Sequence, residues 1–379
     1  MEAAVVGGLP VRPLAVVAPH PVKRRETSAP DAIGSAYPNG PRLWRLIEMR
    51  APVPPEPLPI SVLTGFLGSG KTTFLGRALA GPGMADTAVV INEFGAVGLD
   101  HLLIEAADQE VLTLPNGCVC CAVRQDLADT LYGLLRRRAA GTISPFSRIV
   151  LETSGLAEPS PILYTLSADA FLEASLRVDT VVTAVDAIAG LSTLDRFPEA
   201  TAQVAGADRL LLTKTDLAVP PPALLAQLEA LNPAAQLVDA NAADPAAVLF
   251  GAEHAAILPR RSRFSATAVH AHGIAAFVVI LRQPMTRLQF AVALGGLARE
   301  HGEDLLRVKG IVGFADRPGG PAAVHAVQHT MYPPRWLDAW PDGEPTSRLV
   351  FIVRNIAPAV ILTHFAAGDP DLNVKQGEP

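Results

Sequence analysis

The segment Gly65-Phe66-Leu67-Gly68-Ser69-Gly70-Lys71-Thr72 constrains this chain more than any other stretch of its 379 residues. It follows a short apolar run, Ile60 to Thr64, and opens a helical pattern from Thr73 with Phe74, Leu75, Ala78 and Leu79 on the inner side. Strand, glycine-rich turn and helix in that order let backbone N–H groups curl around a phosphate while the helix N-terminus adds positive potential. Gly65, Gly68, Ser69, Gly70 and Thr73 are therefore expected to line a phosphate cradle. Lys71 should reach the β- and γ-phosphates, and Thr72 should ligate Mg²⁺.

Downstream, strand-like runs at Ala88–Ile91, Arg148–Leu151, Thr180–Val185 and Leu210–Leu212 alternate with helical stretches such as Asp126–Arg138. That alternation predicts an α/β fold of the P-loop NTPase kind, with a mostly parallel sheet covered on both faces. Ligands of open α/β sheets sit beyond the carboxyl ends of the strands, and the polar motifs fall there. After Leu151 comes Glu152-Thr153-Ser154-Gly155, where Glu152 can orient Mg²⁺ or water and Gly155 can offer its N–H to a γ-phosphate. After Leu212 comes Thr213-Lys214-Thr215-Asp216. Asp216 can accept the N1 and N2 protons of guanine and Lys214 can lie along the base, which favours GTP over ATP. A ribose-side contact is expected near Asn241, where no diagnostic motif stands.

All three cysteines fall in Cys118-Val119-Cys120-Cys121, and adjacent cysteines make a strained disulfide. Cys121 precedes an amphipathic helix with Leu127, Leu131, Leu134 and Leu135, and a helix N-terminus favours thiolate. Thiolates at this spacing suit Zn²⁺ and similar ions. With no fourth cysteine, the shell must borrow another donor or stay open. Glu93, in the Asn92-Glu93-Phe94-Gly95 turn where a nucleotide-sensitive switch would lie, is the best-placed oxygen ligand. A redox loop and a permanently filled structural zinc are the competing readings.

With GFLGSGKTT, INEFG, GCVCC, ETSGLAEP and TKTD in this order, the chain resembles the CobW-type GTPases, relatives of HypB and UreG, over roughly Pro59 to Ala367. The resemblance implies a GTP-hydrolysing metallochaperone that binds Zn²⁺ or Co²⁺ at the cysteine motif and delivers it to a client metalloprotein. It departs from many relatives at Ala96, where they carry a second acid after the turn. Slow turnover is expected, since no arginine finger or glutamine stands beside Glu152. The alternatives are a P-loop kinase or ligase with redox-active cysteines, and a zinc sensor that does not hydrolyse GTP.

Beyond Arg263 the pattern changes to strands Ala275–Leu281, Leu306–Phe314, Ala322–Val327 and Leu349–Val353, with helices Leu288–His301 and Ala359–Ala366. This predicts a small C-terminal α+β domain. The expected divisions are a Pro-rich disordered extension over 1–58, a GTPase domain over 59–255, the C-terminal domain over 263–367 and a flexible tail over 368–379. Met49 is a candidate internal start of translation. A net charge of -6 gives no basic field for nucleic acid, and no apolar run is long enough for a membrane helix. Sparse, unpaired cysteine without a secretory signal points to the cytoplasm. His270 and His272 form a solvated pair or a weak metal-capture site, and His325 and His329 read as structural.

Overall fold

A computed structural model describes residues 53–91, 111–113, 122–250, 271–341, 343–366 and 373–374. They belong to one compact unit, Arg50–Pro379. The Pro-rich start, the turn holding Glu93, the cysteine segment and His270 lie outside the described residues.

The first layer system is a seven-stranded sheet whose pairings are all parallel. Its strands in chain order are β1 (Leu58–Gly65), β2 (Thr87–Ile91), β3 (Val111–Thr113), β4 (Arg148–Glu152), β5 (Leu176–Asp186), β6 (Arg209–Thr213) and β7 (Gln236–Asp239). Their spatial order is β3-β2-β4-β1-β5-β6-β7. Strands buried on both faces read as continuous apolar runs, and β2 and β6 are buried throughout.

Alternate residues feed opposite faces. Ile60, Val62, Val90 and Leu151 meet α2 (Ala122–Ala139), α3 (Pro159–Ala168) and α4 (Ala170–Ser175). Leu63, Val89, Val150 and Leu211 meet α1 (Lys71–Leu79) and α8 (Pro245–Phe250). The remaining helices, α5 (Gly190–Arg196), α6 (Pro198–Gly206) and α7 (Pro222–Leu231), cover Val185, Leu210 and Leu212. The leucines read as one helical face, 127, 131, 134 and 135, are buried on α2. β5 starts four residues earlier than its apolar run suggests, because Leu176 pairs with Leu58 and extends the ladder through polar Arg177 and Asp179.

The second sheet is antiparallel. It is built from β8 (Ile274–Leu281), β9 (Arg307–Phe314), β10 (Arg317–Val327), β11 (Thr330–Met331), β12 (Arg335–Trp336), β13 (Ser347–Arg354) and β14 (Asn373–Val374). Phe277, Val279, Val308, Leu349 and Phe351 face α9 (Arg287–His301) and α10 (Pro358–Ala366). Thr286 and Gln289 close a reciprocal capping box at the start of α9. The opposite face presents Ile274, Val350 and Ile352, which join Val204, Leu224 and Leu228 of α6 and α7 in one apolar cluster. Fold class thus matches the expectation: a P-loop α/β sheet with a smaller C-terminal α+β domain.

The contact between these two parts has a charged centre. Asp208, immediately before β6, receives Lys309 Nζ at 3.1 Å and is also bonded by Arg307 Nη2. Arg307 Nη1 donates to Gly206 O at 2.6 Å, and Val181 N donates to Asp208 Oδ2 at 3.0 Å. Burial alone would raise the Asp208 pKa, but the charges of Arg307 and Lys309 outweigh it and hold this carboxyl far below the usual range. His325 stacks on Tyr332 with ring centroids 4.2 Å apart. Its burial, reinforced by Arg307, pushes it down to about 3. His329 Nδ1 lies 2.8 Å from Ala298 O, a packing contact on α9.

Candidate nucleotide and metal site

Between β1 and α1, Gly65, Gly68 and Gly70 take φ values of 140°, 71° and 87°. A Cβ on Gly65 would stand 2.4 Å from Ala184 O, so the turn also needs glycine for space. Gly70 caps α1 without any side-chain acceptor, which leaves the N–H groups of the first turn open to an anion. Ser69 Oγ is buried and has no hydrogen-bond partner among the described residues. Lys71 is buried too, with Nζ donating to Gly65 O at 2.8 Å and Phe66 O at 3.1 Å. The ammonium is thus held over the loop by backbone oxygens.

The end of β4 lies beside this loop because Leu63 pairs with Glu152. Thr72 Oγ1 donates to Glu152 Oε1 at 2.7 Å. Glu152 is buried, and the next residue is tied to β1 through Thr153 N to Leu63 O at 3.0 Å and Thr153 Oγ1 to Thr64 Oγ1 at 2.8 Å. A Cβ on Gly155 would meet Leu67 N at 2.6 Å and Leu67 Cα at 2.7 Å. Gln203 of α6 holds the same segment by donating to Gly155 O at 3.1 Å and Ala157 O at 2.9 Å. A hydroxyl and a carboxylate so close together are hard oxygen donors of the kind Mg²⁺ takes, directly or through water.

The base-facing side is built at the ends of β5, β6 and β7. Thr213 Oγ1 donates to Ser69 O at 2.7 Å, which joins β6 to the phosphate loop. Lys214 takes a positive φ of 57°, and its Nζ reaches Asp186 Oδ2 at 2.5 Å. Burial would raise the Asp186 pKa, but the Lys214 bond and the N–H groups of Ile188 and Ala189 lower it. Asp216 is exposed, and Asn241 Nδ2 donates to its Oδ1 at 3.2 Å and to Thr215 Oγ1 at 2.7 Å. Thr215 Oγ1 in turn donates to Asp239 Oδ1 at 2.6 Å, and Arg77 Nη1 to Asn241 Oδ1 at 3.0 Å.

The structure therefore brings Lys71, Thr72, Glu152 and Gly155 together, and it puts Lys214 and Asp216 on the adjoining loop. It adds Asp186 and Gln203, which no motif pointed to, and it gives partners to Thr213, the first residue of the motif after Leu212, and to Asn241, near which a ribose-side contact was expected. Asp186 ends β5, so its position at a strand carboxyl end was the available signal for it. Glu93, Cys118, Cys120 and Cys121 lie outside the described residues. His272 is exposed in a left-handed turn before β8.

Taken together, the sheet order, the glycine cradle and the loop after β6 define a P-loop nucleotide-binding protein. Residues 59–239 match the family described as "CobW/HypB/UreG, nucleotide-binding domain", and residues 274–368 match "Cobalamin synthesis protein cobW C-terminal domain". The chain is 33% identical over 316 residues to the zinc chaperone YjiA of Escherichia coli, covering 82% of this chain and 98% of that protein. It is 30% identical over 338 residues to the zinc chaperone CobW of a Sinorhizobium species, covering 78% and 92%. The crystal structure of Zn(II)-bound YjiA GTPase superposes with a TM-score of 0.64 at 28% identity, covering 82% of this chain and 99% of that one. The chain belongs to the CobW family of P-loop GTPases.

Proposed function

We propose that this chain hydrolyses GTP and uses the cycle to hold and release a transition-metal ion, Zn²⁺ or Co²⁺, for a client metalloprotein. In this reading residues 59–255 form the GTPase domain and 263–367 the C-terminal domain, preceded by the extension 1–58. Gly65, Gly68, Ser69, Gly70 and Thr73 bind the phosphates, and Lys71 exchanges its carbonyl contacts for phosphate oxygens. Thr72 and Glu152 would hold Mg²⁺, which neutralises charge on the phosphates when bound. Gly155 offers its N–H to the γ-phosphate. Lys214 and Asp216 read guanine, with Asn241 and Asp186 fixing their side chains.

The observation that carries the coupling is the register of the sheet edge. Ile91 pairs with both Glu152 and Thr113. The described parts of β2 and β3 therefore reach the level of Glu152 at Ile91 and Thr113. Glu93 follows Ile91 by two residues in the sequence and Cys118 follows Thr113 by five. In this reading Cys118, Cys120, Cys121 and Glu93 hold the metal, and their short sequence separation from β2 and β3 supports coupling to the Thr72–Glu152 pair. The relatives named zinc chaperones support Zn²⁺ as the ion.

Zinc competition against a chromophoric chelator, with Mg²⁺ and either GTP or GDP, tests this directly. Tighter zinc binding in one nucleotide state is expected, together with phosphate release that changes on zinc loading. Equal zinc affinity with GTP and GDP would refute the gated cycle and leave a GTPase with an uncoupled metal site.

A further inference from the structure

α9 and α10 cover the face of the antiparallel sheet opposite to the one packed on α6 and α7. His301 is the last residue of α9 and His364 lies in the last turn of α10. The two rings meet edge-on with centroids 6.5 Å apart, and His364 Nε2 lies 3.4 Å from Glu300 Oε2. One ligand atom from each of Glu300, His301 and His364 falls within 4.8 Å of the other two. Small side-chain rotations bring such atoms to the spacing of about 3.3 Å set by a tetrahedral ion with bonds of about 2.0 Å.

Two further features favour a cation at this point. Both helices direct their carboxyl ends here, and the partial negative charge at those ends stabilises a positive ion. On α9, Gly296 leaves the space that His364 fills, since a Cβ there would stand 3.1 Å from His364 Nδ1. A glycine inside a helix costs about 0.5–1 kcal/mol relative to alanine. Here it seats the imidazole next to Glu300. Both histidines are partly buried while Glu300 is exposed, so the nitrogen side of the cluster is packed and its oxygen side faces solvent.

We propose that Glu300, His301 and His364 form a second site for a borderline divalent transition ion, Zn²⁺ or Co²⁺, on the outer face of the C-terminal domain. Three protein ligands leave one coordination position for water or for a donor from another molecule. An ion held in this way is exchangeable, and an incoming protein can approach it without entering the nucleotide cleft. The site draws on no residue of the cysteine segment and stands independently of the gated cycle.

The test uses the full chain with Cys118→Ser, Cys120→Ser and Cys121→Ser, which removes every thiolate. Cobalt titration against a chelator of micromolar affinity should show one ion per chain. Its visible d–d band should appear without the near-ultraviolet thiolate band. Adding His301→Asn and His364→Asn should abolish that band while leaving the metal-free unfolding midpoint unchanged. No cobalt binding in the cysteine-free chain would overturn the proposal, as would binding undiminished in the histidine double variant. Either result would reduce the cluster to a surface ion pair.

Discussion

Removing the Asp208 carboxylate tests how the two parts of the molecule are joined. Asp208→Ala deletes the bonds from Arg307 and Lys309 and the acceptor of Val181 N. It leaves two cations with side chains 4% and 14% exposed and no anion between them. Breaking a buried pair by removing one partner costs about 3–5 kcal/mol. Arg307 keeps its bond to Gly206 O, so the lower part of that range is expected. Urea unfolding at pH 7 gives the magnitude, and two probes give the mechanism. Trp336 and Trp340 both lie in the C-terminal part, so tryptophan fluorescence with Trp44 changed to Phe follows that part alone, while far-ultraviolet circular dichroism follows the whole chain. The two midpoints should coincide in the parent and separate in Asp208→Ala. A loss below about 1 kcal/mol with coincident midpoints would refute the claim that this cluster couples the domains.

Asn241→Ala should raise the KM for GTP about fivefold with kcat little changed, because about 1 kcal/mol of hydrogen bonding to Asp216 and Thr215 is lost far from the reacting phosphate; a fall in kcat alone would count against the assignment. Glu152→Gln keeps an oxygen for Thr72 but removes the charge, and single-turnover GTP hydrolysis should slow on the order of 10²-fold with a higher Mg²⁺ requirement. Burial holds His325 at about 3 in the folded chain against 6.5 for a free imidazole. Below about pH 6.5 the unfolded chain takes up a proton that the folded one refuses, so stability falls toward pH 3 by up to about 1.4 kcal/mol per pH unit. His325→Phe should flatten that slope in urea titrations between pH 7 and pH 5, and an unchanged slope would remove His325 as its source.

The phosphate loop was legible because its chemistry demands a fixed order of glycines, lysine and threonine on a strand-to-helix turn. Strand runs such as Leu210–Leu212 were legible because a doubly covered sheet needs uninterrupted apolar residues. Their limits were less clear. β10 begins at Arg317 rather than at Ala322, since Gly319 and Gly320 at positive φ carry an irregular ladder that has no apolar signature. The Asp208–Arg307–Lys309 cluster was invisible because its members lie about a hundred positions apart. A contact near Asn241 was expected from its place after the next strand, but its bonds to Thr215 and Asp216 appear only when β7 is laid beside β6. The Glu300–His301–His364 group needs two helices to end together, which composition and periodicity do not encode.

The packing of Gly155 on Leu67 has a mechanical meaning. A clearance too small for one methyl group is also too small for rotamers to absorb displacement. When the backbone at Leu67 moves, the segment from Glu152 to Gly155 must move with it, and Gln203 carries the push into α6. The same helix packs against the C-terminal sheet through Val204. A shift begun at the phosphates thus has a path to the far domain through one tight backbone contact, the Gln203 hydrogen bonds and apolar packing at Val204, and variation at position 155 should alter the timing of that response more than the affinity for nucleotide.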